Sequence, residues 1–322
     1  MTALGVSVFP HDLRYSTVAT LGTLAEDNGF DGVFVVEAGV SNDAMAMAQA
    51  IAMCTRRITV GTGIANLYLR HPVTLGAGAV AIDELSEGRF ILGIGVNNAS
   101  LITGLGLTWR EPRLALRDTT TVLRQVFAGE TPPGARTPLR RALHPIPIHL
   151  AGVALETAEL AGEIADGLMC YLTTKARYQQ VVARMQRGAQ QAGRETQALL
   201  VSLLIPTFLS EDLEAARQAA RRFLSFYAAM PLYAKMFRRS GFAADMDAVA
   251  QALAQGARDR VAACLSDRLL DDICLVGPPT RCQEQLAAFQ EAGVTYPQLA
   301  PQAVQEEQES AVRRLLKTFT RR

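Results

Sequence analysis

The chain has 322 residues, 49% of them hydrophobic and 20% charged, and 32 Lys and Arg against 31 Asp and Glu leave a formal charge of +1. That balance gives no electrostatic basis for holding DNA, RNA or an anionic membrane surface, so neither a nucleic-acid nor a membrane partner is expected. One large α/β unit spanning residues 1–322 accommodates this length, since α/β barrels run past about 250 residues as a single domain. Small residues, Ala above all, dominate the apolar set, which suits helices packed closely around a sheet.

In chain order, Leu4–Phe9 and Gly32–Val36 are short apolar runs that predict the first two strands. Ser41-Asn42-Asp43 can cap a helix over Ala44–Cys54. Strands are predicted again over Ile58–Ile64 and Arg89–Gly95. A helix over about 112–128 follows, then a Pro/Gly/Arg-rich stretch that reaches Pro145. Pro147–Leu150, Gly167–Cys170 and Leu199–Pro206 predict three further strands. Ser210, Glu211 and Asp212 open a helix with acids at the positive end of its dipole. Thr280 and Gln283 form a capping-box pattern behind Pro278-Pro279. Val294–Ala300 is the eighth strand, and a last helix spans Gln302 to Arg322.

Several of these runs are apolar throughout, as parallel strands covered on both faces are. Eight strands alternating with helices predict a (β/α)8 TIM barrel, with long insertions after strands 4 (97–146) and 7 (210–276).

Five cysteines (Cys54, Cys170, Cys264, Cys274 and Cys282) form no CxxC pair and are expected as free thiols in a reducing compartment. The opening residues show neither a basic n-region nor an apolar h-region. The longest apolar runs, such as Leu199–Pro206, fall far short of the roughly 20 residues of a membrane helix, so a cytoplasmic protein is expected. The histidines are His11, His71, His144 and His149, and none belongs to an HxH or HExxH pattern, so no metal site is expected. No GxSxG elbow or Walker loop is present. Barrel chemistry sits at the C-terminal ends of the strands. That places Glu37, at the end of the second strand, and His71, after the third, among the catalytic candidates. Glu37 is alternatively a capping or salt-bridged carboxylate, and His71 a helix cap. His11 follows the first strand at the same end, and His149 lies inside the fifth strand as a barrel residue.

Three blocks carry a resemblance. They are Thr59 through Pro72; Leu75 through Gly95, with Asp83-Glu84-Leu85-Ser86-Glu87-Gly88-Arg89 inside it; and Pro145 through Gly152, with Leu160 through Gly167 after it. Together they resemble the luciferase-like flavin and F420-dependent oxidoreductases, and within that group most of all the methylene-tetrahydromethanopterin reductases. The resemblance implies F420 as cofactor, with FMN as the alternative, a small organic substrate, and a homodimer formed through Ala44–Cys54. It implies a non-prolyl cis peptide at Gly63-Ile64 that backs the cofactor ring, with Asn66 reaching the ring's polar edge and Glu37 lining the pocket. Gly95, Val96, Asn97 and Asn98 match the loop on the phosphate side. Gly152, Val153 and Ala154 match the turn before a helix that receives the phosphate.

Four positions depart from the pattern. Asn97 stands where relatives carry a third glycine, and Glu156 puts a carboxylate near the expected phosphate. Ser7 replaces a carboxylate on the first strand, and Ala38 follows Glu37 where relatives place a His or Asn. These departures leave open a degenerate barrel that binds a ligand without catalysis.

Overall fold

The computed structural model describes residues 3–10, 13–37, 39, 41–131, 137 and 139–321. The first half runs β1 (Gly5–Val8), α1 (Tyr15–Asp27), β2 (Gly32–Val35), α2 (Ala44–Cys54), β3 (Thr59–Thr62), β4 (Ala65–Asn66), α3 (Pro72–Ser86), β5 (Phe90–Gly95), α4 (Ala99–Gly104) and α5 (Pro112–Ala128). The second half begins with β6 (Ile148–Ala151), α6 (Leu155–Ile164), β7 (Gly167–Tyr171), α7 (Lys175–Gln191) and β8 (Leu200–Leu209). It continues through α8 (Leu213–Ala228), α9 (Pro231–Arg239), α10 (Ala243–Ala254) and α11 (Asp267–Ile273) to β9 (Leu275–Gly277), α12 (Pro279–Glu291), β10 (Tyr296–Pro301) and α13 (Gln308–Thr318).

Eight of these strands close a parallel barrel in the order β1-β2-β3-β5-β6-β7-β8-β10, and β10 pairs back onto β1. The two short extra strands hang on its rim: β4 pairs with the end of β5, and β9 with the end of β8. The latter explains why β8 runs on to Leu209, beyond the predicted Pro206. Thr207, Phe208 and Leu209 find a ladder partner in Leu275, Val276 and Gly277.

Outward-facing strand residues such as Val33, Val35, Val60, Leu92, Ile94, Ile148 and Leu168 are closed to solvent beneath the helices. Each such side chain contributes about 1.5–3 kcal/mol on burial. A second core, around Leu224, Phe237, Phe242 and Leu269, holds the four helices inserted between β8 and β9.

Two predicted helix ends differ. α12 begins on Pro279 with Pro278 at its cap and no side-chain cap bond, so Thr280 lies inside the first turn instead of capping it. α13 starts only at Gln308, because Gln305 takes a left-handed backbone (φ 55°) that a helix cannot contain. No helix among the described residues is long and apolar enough to cross a membrane.

Candidate active site

Phe34, on β2, plugs the barrel interior. Its ring occupies space that three glycines leave free: a Cβ on Gly61 would fall 2.5 Å from it, one on Gly32 2.9 Å and one on Gly5 3.4 Å. Tyr296 meets Phe34 edge-on at 5.9 Å. Further along the strands, toward their C-terminal ends, the interior on the β3, β5 and β6 side carries the small residues Gly63, Gly95 and Ala151. The Gly63-Ile64 peptide is cis. Ile64 is half-buried, with Gly95 and Ala151 beside it; a Cβ on Gly95 would lie 3.0 Å from Ile64 Cγ1 and 3.4 Å from Ala151 Cβ. Phe34 closes the barrel below these residues, and the C-terminal ends of the strands around them form its mouth.

One wall of this mouth is an ion-pair network. The Glu37 side chain is closed to solvent, and its two oxygens accept from Arg70 Nη2 at 2.6 Å and Arg70 Nη1 at 2.9 Å. They also accept from the backbone N–H of Asn66 at 2.7 Å and of Ala44 at 3.3 Å. Arg70 reaches Asp43 as well, at 2.9 Å, while Asp43 caps α2 through the N–H groups of Met45 and Ala46. The hydrogen bonding that Arg70 donates to Glu37, ahead of an opposing burial effect, raises the Arg70 pKa. Burial pushes the Asp43 carboxyl up, but the Ala46 N–H and the Arg70 charge together bring it below its ordinary value. With four donors on its two oxygens, Glu37 ties β2, β4 and α2 together. A cavity of about 320 Å³, lined by Tyr15, Asn42, Leu69 and Arg70 among others, opens beside it.

Asn66 is fully buried. Its Oδ1 accepts from Tyr68 N at 2.9 Å, but its Nδ2 has no partner among the described residues. Ser7 donates to Gln298 Oε1 at 2.9 Å inside the barrel, and Gln298 Nε2 is likewise unpaired there.

On the adjoining rim, Asn97 adopts φ 57° and keeps the left-handed turn that a glycine would make, and its Oδ1 accepts from Asn98 N. Asn98 caps α4, and Val96 is half-buried behind the pair. Gly152 is required by proximity, since a Cβ would lie 2.6 Å from Thr157 Cγ2. The Val153 carbonyl accepts from Arg177 Nη2 at 2.9 Å, and Ala154 opens α6 without a side-chain cap. Glu156 points to solvent in the first turn of α6. Burial and then the like charge of Arg239 lower the Arg177 pKa, so two cations share this corner with Glu156.

The structure therefore brings Glu37, Gly63, Ile64 and Asn66 together on one side of the mouth. Gly95, Val96, Asn97 and Asn98 line the adjoining rim, with Gly152, Val153 and Ala154 beyond them. His71 is exposed and caps α3, its Nδ1 accepting from Val73 N at 3.3 Å. His149 lies deep in the barrel, where burial lowers its pKa to about 4. His11 and Ala38 fall outside the described residues. Arg70 was quoted in the sequence only as part of Arg70-His71-Pro72; its role as the partner of Glu37 appears only when the loops meet. No group of three or more His, Cys, Asp and Glu among the described residues is placed to hold a metal ion. The larger cavity, about 540 Å³, lies away from the mouth between α5 and α6, where Glu111, Arg117, Glu159 and Glu163 line it.

Residues 3–296 match the family described as luciferase-like monooxygenase. A Mycobacterium tuberculosis protein provisionally named coenzyme F420-dependent oxidoreductase Rv3520c is 29% identical, with 86% of this chain and 88% of that protein covered. The 5,10-methylenetetrahydromethanopterin reductase of Methanolobus tindarius is 25% identical, over 90% of this chain and 91% of the reductase. Among solved structures, the coenzyme F420-dependent tetrahydromethanopterin reductase from Methanopyrus kandleri superposes with a TM-score of 0.81, covering 98% of each chain at 21% identity. The match to the family covers residues 3–296 of the 322, Glu37, Gly63, Ile64, Asn66 and Gly95 among them, so the chain belongs to the luciferase-like monooxygenase family.

Proposed function

We propose that this protein is an oxidoreductase that holds deazaflavin F420 in the barrel mouth and serves hydride transfer to or from a small organic substrate. The observation that carries this reading is the closely packed floor of Gly63, Ile64, Gly95 and Ala151, where a Cβ on Gly95 would already press on Ile64 at 3.0 Å. A flat ring fits such a seat, and the buried, unpaired Nδ2 of Asn66 supplies a donor for a polar ring edge. The bound deazaflavin would supply a carbon centre that gives or takes hydride.

The chain's own residues position and shield it. Ile64 presents an apolar face to one side of the ring. Glu37, through Arg70 and the Asn66 N–H, fixes the backbone from which Asn66 projects. The Asn97-Asn98 turn and the uncapped first turn of α6 face the tail of the cofactor. Arg177 and Arg239 offset the charge of Glu156 at that end. The name of the Mycobacterium tuberculosis relative, a coenzyme F420-dependent oxidoreductase, supports the same cofactor.

Parallel fluorescence titrations of the purified protein with F420 and with FMN test the reading. Saturable micromolar or tighter binding of F420, and weaker binding of FMN, is expected. Preferential binding of FMN would reassign the cofactor. Binding of neither would leave a barrel whose Asn97 and Glu156 changes have emptied the site.

A further inference from the structure

Tyr171 is the last residue of β7, and its side chain turns into the barrel mouth. There it packs with Phe9 and Val36, directly after β1 and β2, with Leu204, its register partner midway along β8, and with Ala300 near the end of β10. Leu172, the next residue, is fully buried yet takes a left-handed backbone (φ 50°), a conformation that costs a non-glycine residue about 1–2 kcal/mol. Such outliers persist where surrounding contacts over-determine them, and they gather at functional sites. Thr173 Oγ1 donates to the Tyr171 carbonyl at 3.2 Å and closes the turn. The strand end is thus fixed, and the Tyr171 ring stands at the boundary between the mouth and the helices inserted after β8.

Across that boundary the Tyr171 hydroxyl donates to the Tyr227 hydroxyl at 3.0 Å. Tyr227, on α8, is in ring contact with Tyr171, Phe223, Phe226 and Tyr233 at 5.1–5.4 Å. Only 6% of the residues are aromatic, so this concentration beside the mouth stands out against the Ala-rich remainder. Simple core packing would close these rings off, as it does Phe237 and Phe242, which are at most 2% exposed. Instead Tyr171, Phe223, Tyr227 and Tyr233 are half-buried and Phe226 is 62% exposed. The cluster is an incompletely covered aromatic wall with a hydroxyl pair at its mouth end. Because Tyr227 accepts from Tyr171, its own O–H proton is available to a further acceptor. Burial raises the pKa of both hydroxyls, so both stay protonated and neutral across the physiological range.

We propose that Tyr227, oriented by Tyr171, is a specificity-determining donor for the substrate, which is a neutral, ring-bearing molecule with a carbonyl or hydroxyl oxygen. The ring of that molecule lies on the Phe223–Phe226–Tyr233 wall, and its oxygen accepts from the Tyr227 hydroxyl. A buried neutral donor discriminates sharply against a molecule that lacks the acceptor, because the hydroxyl is then left unpaired. It also disfavours a carboxylate, whose charge a pair of neutral hydroxyls does not offset. The inference rests on the mouth being the reaction site.

Three probes of matched size separate the terms: acetophenone, ethylbenzene and benzoate. Their dissociation constants are measured by NMR titration with the intact chain and with the Tyr227→Phe and Tyr171→Phe variants. Thermal melts confirm that each variant is folded, and F420 titrations run alongside. The wild type is expected to bind acetophenone best of the three. Tyr227→Phe should weaken acetophenone about tenfold and leave ethylbenzene unchanged, and Tyr171→Phe should have a smaller effect of the same sign. The proposal is overturned if the wild type does not bind acetophenone, if it prefers ethylbenzene or benzoate, or if Tyr227→Phe weakens acetophenone and ethylbenzene equally. Loss of F420 binding with the acetophenone preference intact would instead sink the cofactor reading and leave Tyr227 as the donor of a ligand-binding barrel.

Discussion

Arg70 grips Glu37 with both terminal nitrogens of its guanidinium, and the carboxylate they hold is sealed from solvent. The pair joins the loop after β2 to the loop after β4, on one side of the proposed cofactor seat. A carboxylate stripped of the guanidinium that pairs with it in such a place is costly, since breaking a buried pair typically loses about 3–5 kcal/mol. Arg70→Met should therefore lower stability by about 3 kcal/mol, at the lower end because Arg70 keeps 18% of its side chain exposed. Urea melts of the variant against wild type measure this. A loss below about 1 kcal/mol would show the pair to be dispensable, as most surface pairs are.

His149 makes stability depend on pH. In the folded barrel its pKa is held down to about 4 by burial, whereas an exposed imidazole titrates near 6.5. Between these values the unfolded chain takes up a proton that the folded chain does not. The contribution is therefore complete above about pH 6.5 and is lost as the pH falls toward 4, by about 3 kcal/mol in all. His149→Leu, which cannot titrate, should show a flatter fall in urea midpoint across that window. Parallel curves for variant and wild type would mean that His149 is already charged in the fold.

At Asn97 the left-handed backbone decides which substitutions are tolerated. Asn97→Gly should stay within about 0.5 kcal/mol of wild type, because glycine adopts φ 57° freely but gives up the side-chain bond to Asn98 N. Asn97→Val should cost about 1–2 kcal/mol, since a β-branched residue is strained there. Thermal melts of the two variants give the comparison, and equal stability would contradict the strain argument.

Much of the fold was legible in the sequence, and the reason is visible in particular residues. Val33, Val60, Leu92 and Ile148 are buried against helices on the outside of the barrel, so their runs are apolar enough to read directly. The eight-strand count followed from them. The rim strands β4 and β9 were not legible, because two or three residues carry no periodicity and owe their conformation to a neighbour's ladder. Among the candidate site residues, Gly63, Ile64 and Asn66 stand inside the first family block and the Asn97 turn directly follows the second. The Arg70 partnership and the Tyr171–Tyr227 bond could not, since their partners lie 33 and 56 residues apart and meet only through the barrel's closure.

Gly95 tests the floor of the mouth without a gross change of shape. An added methyl would press on Ile64 Cγ1 at 3.0 Å and Cδ1 at 3.3 Å, the far end of a side chain that can shift. Gly95→Ala should therefore cost less than about 1 kcal/mol of stability. It should weaken F420 about tenfold, because the displaced Ile64 is the surface on which the ring is proposed to rest. Unchanged affinity in the titration would separate Ile64 from the cofactor seat.

The central claim concerns where the ring lies, and a crystal structure of the protein soaked with F420 tests it most directly. The deazaflavin is predicted against Ile64, over Gly95 and Ala151, with a polar ring atom within hydrogen-bond distance of Asn66 Nδ2. A deazaflavin seated elsewhere, as in the Glu-lined groove between α5 and α6, would contradict the account.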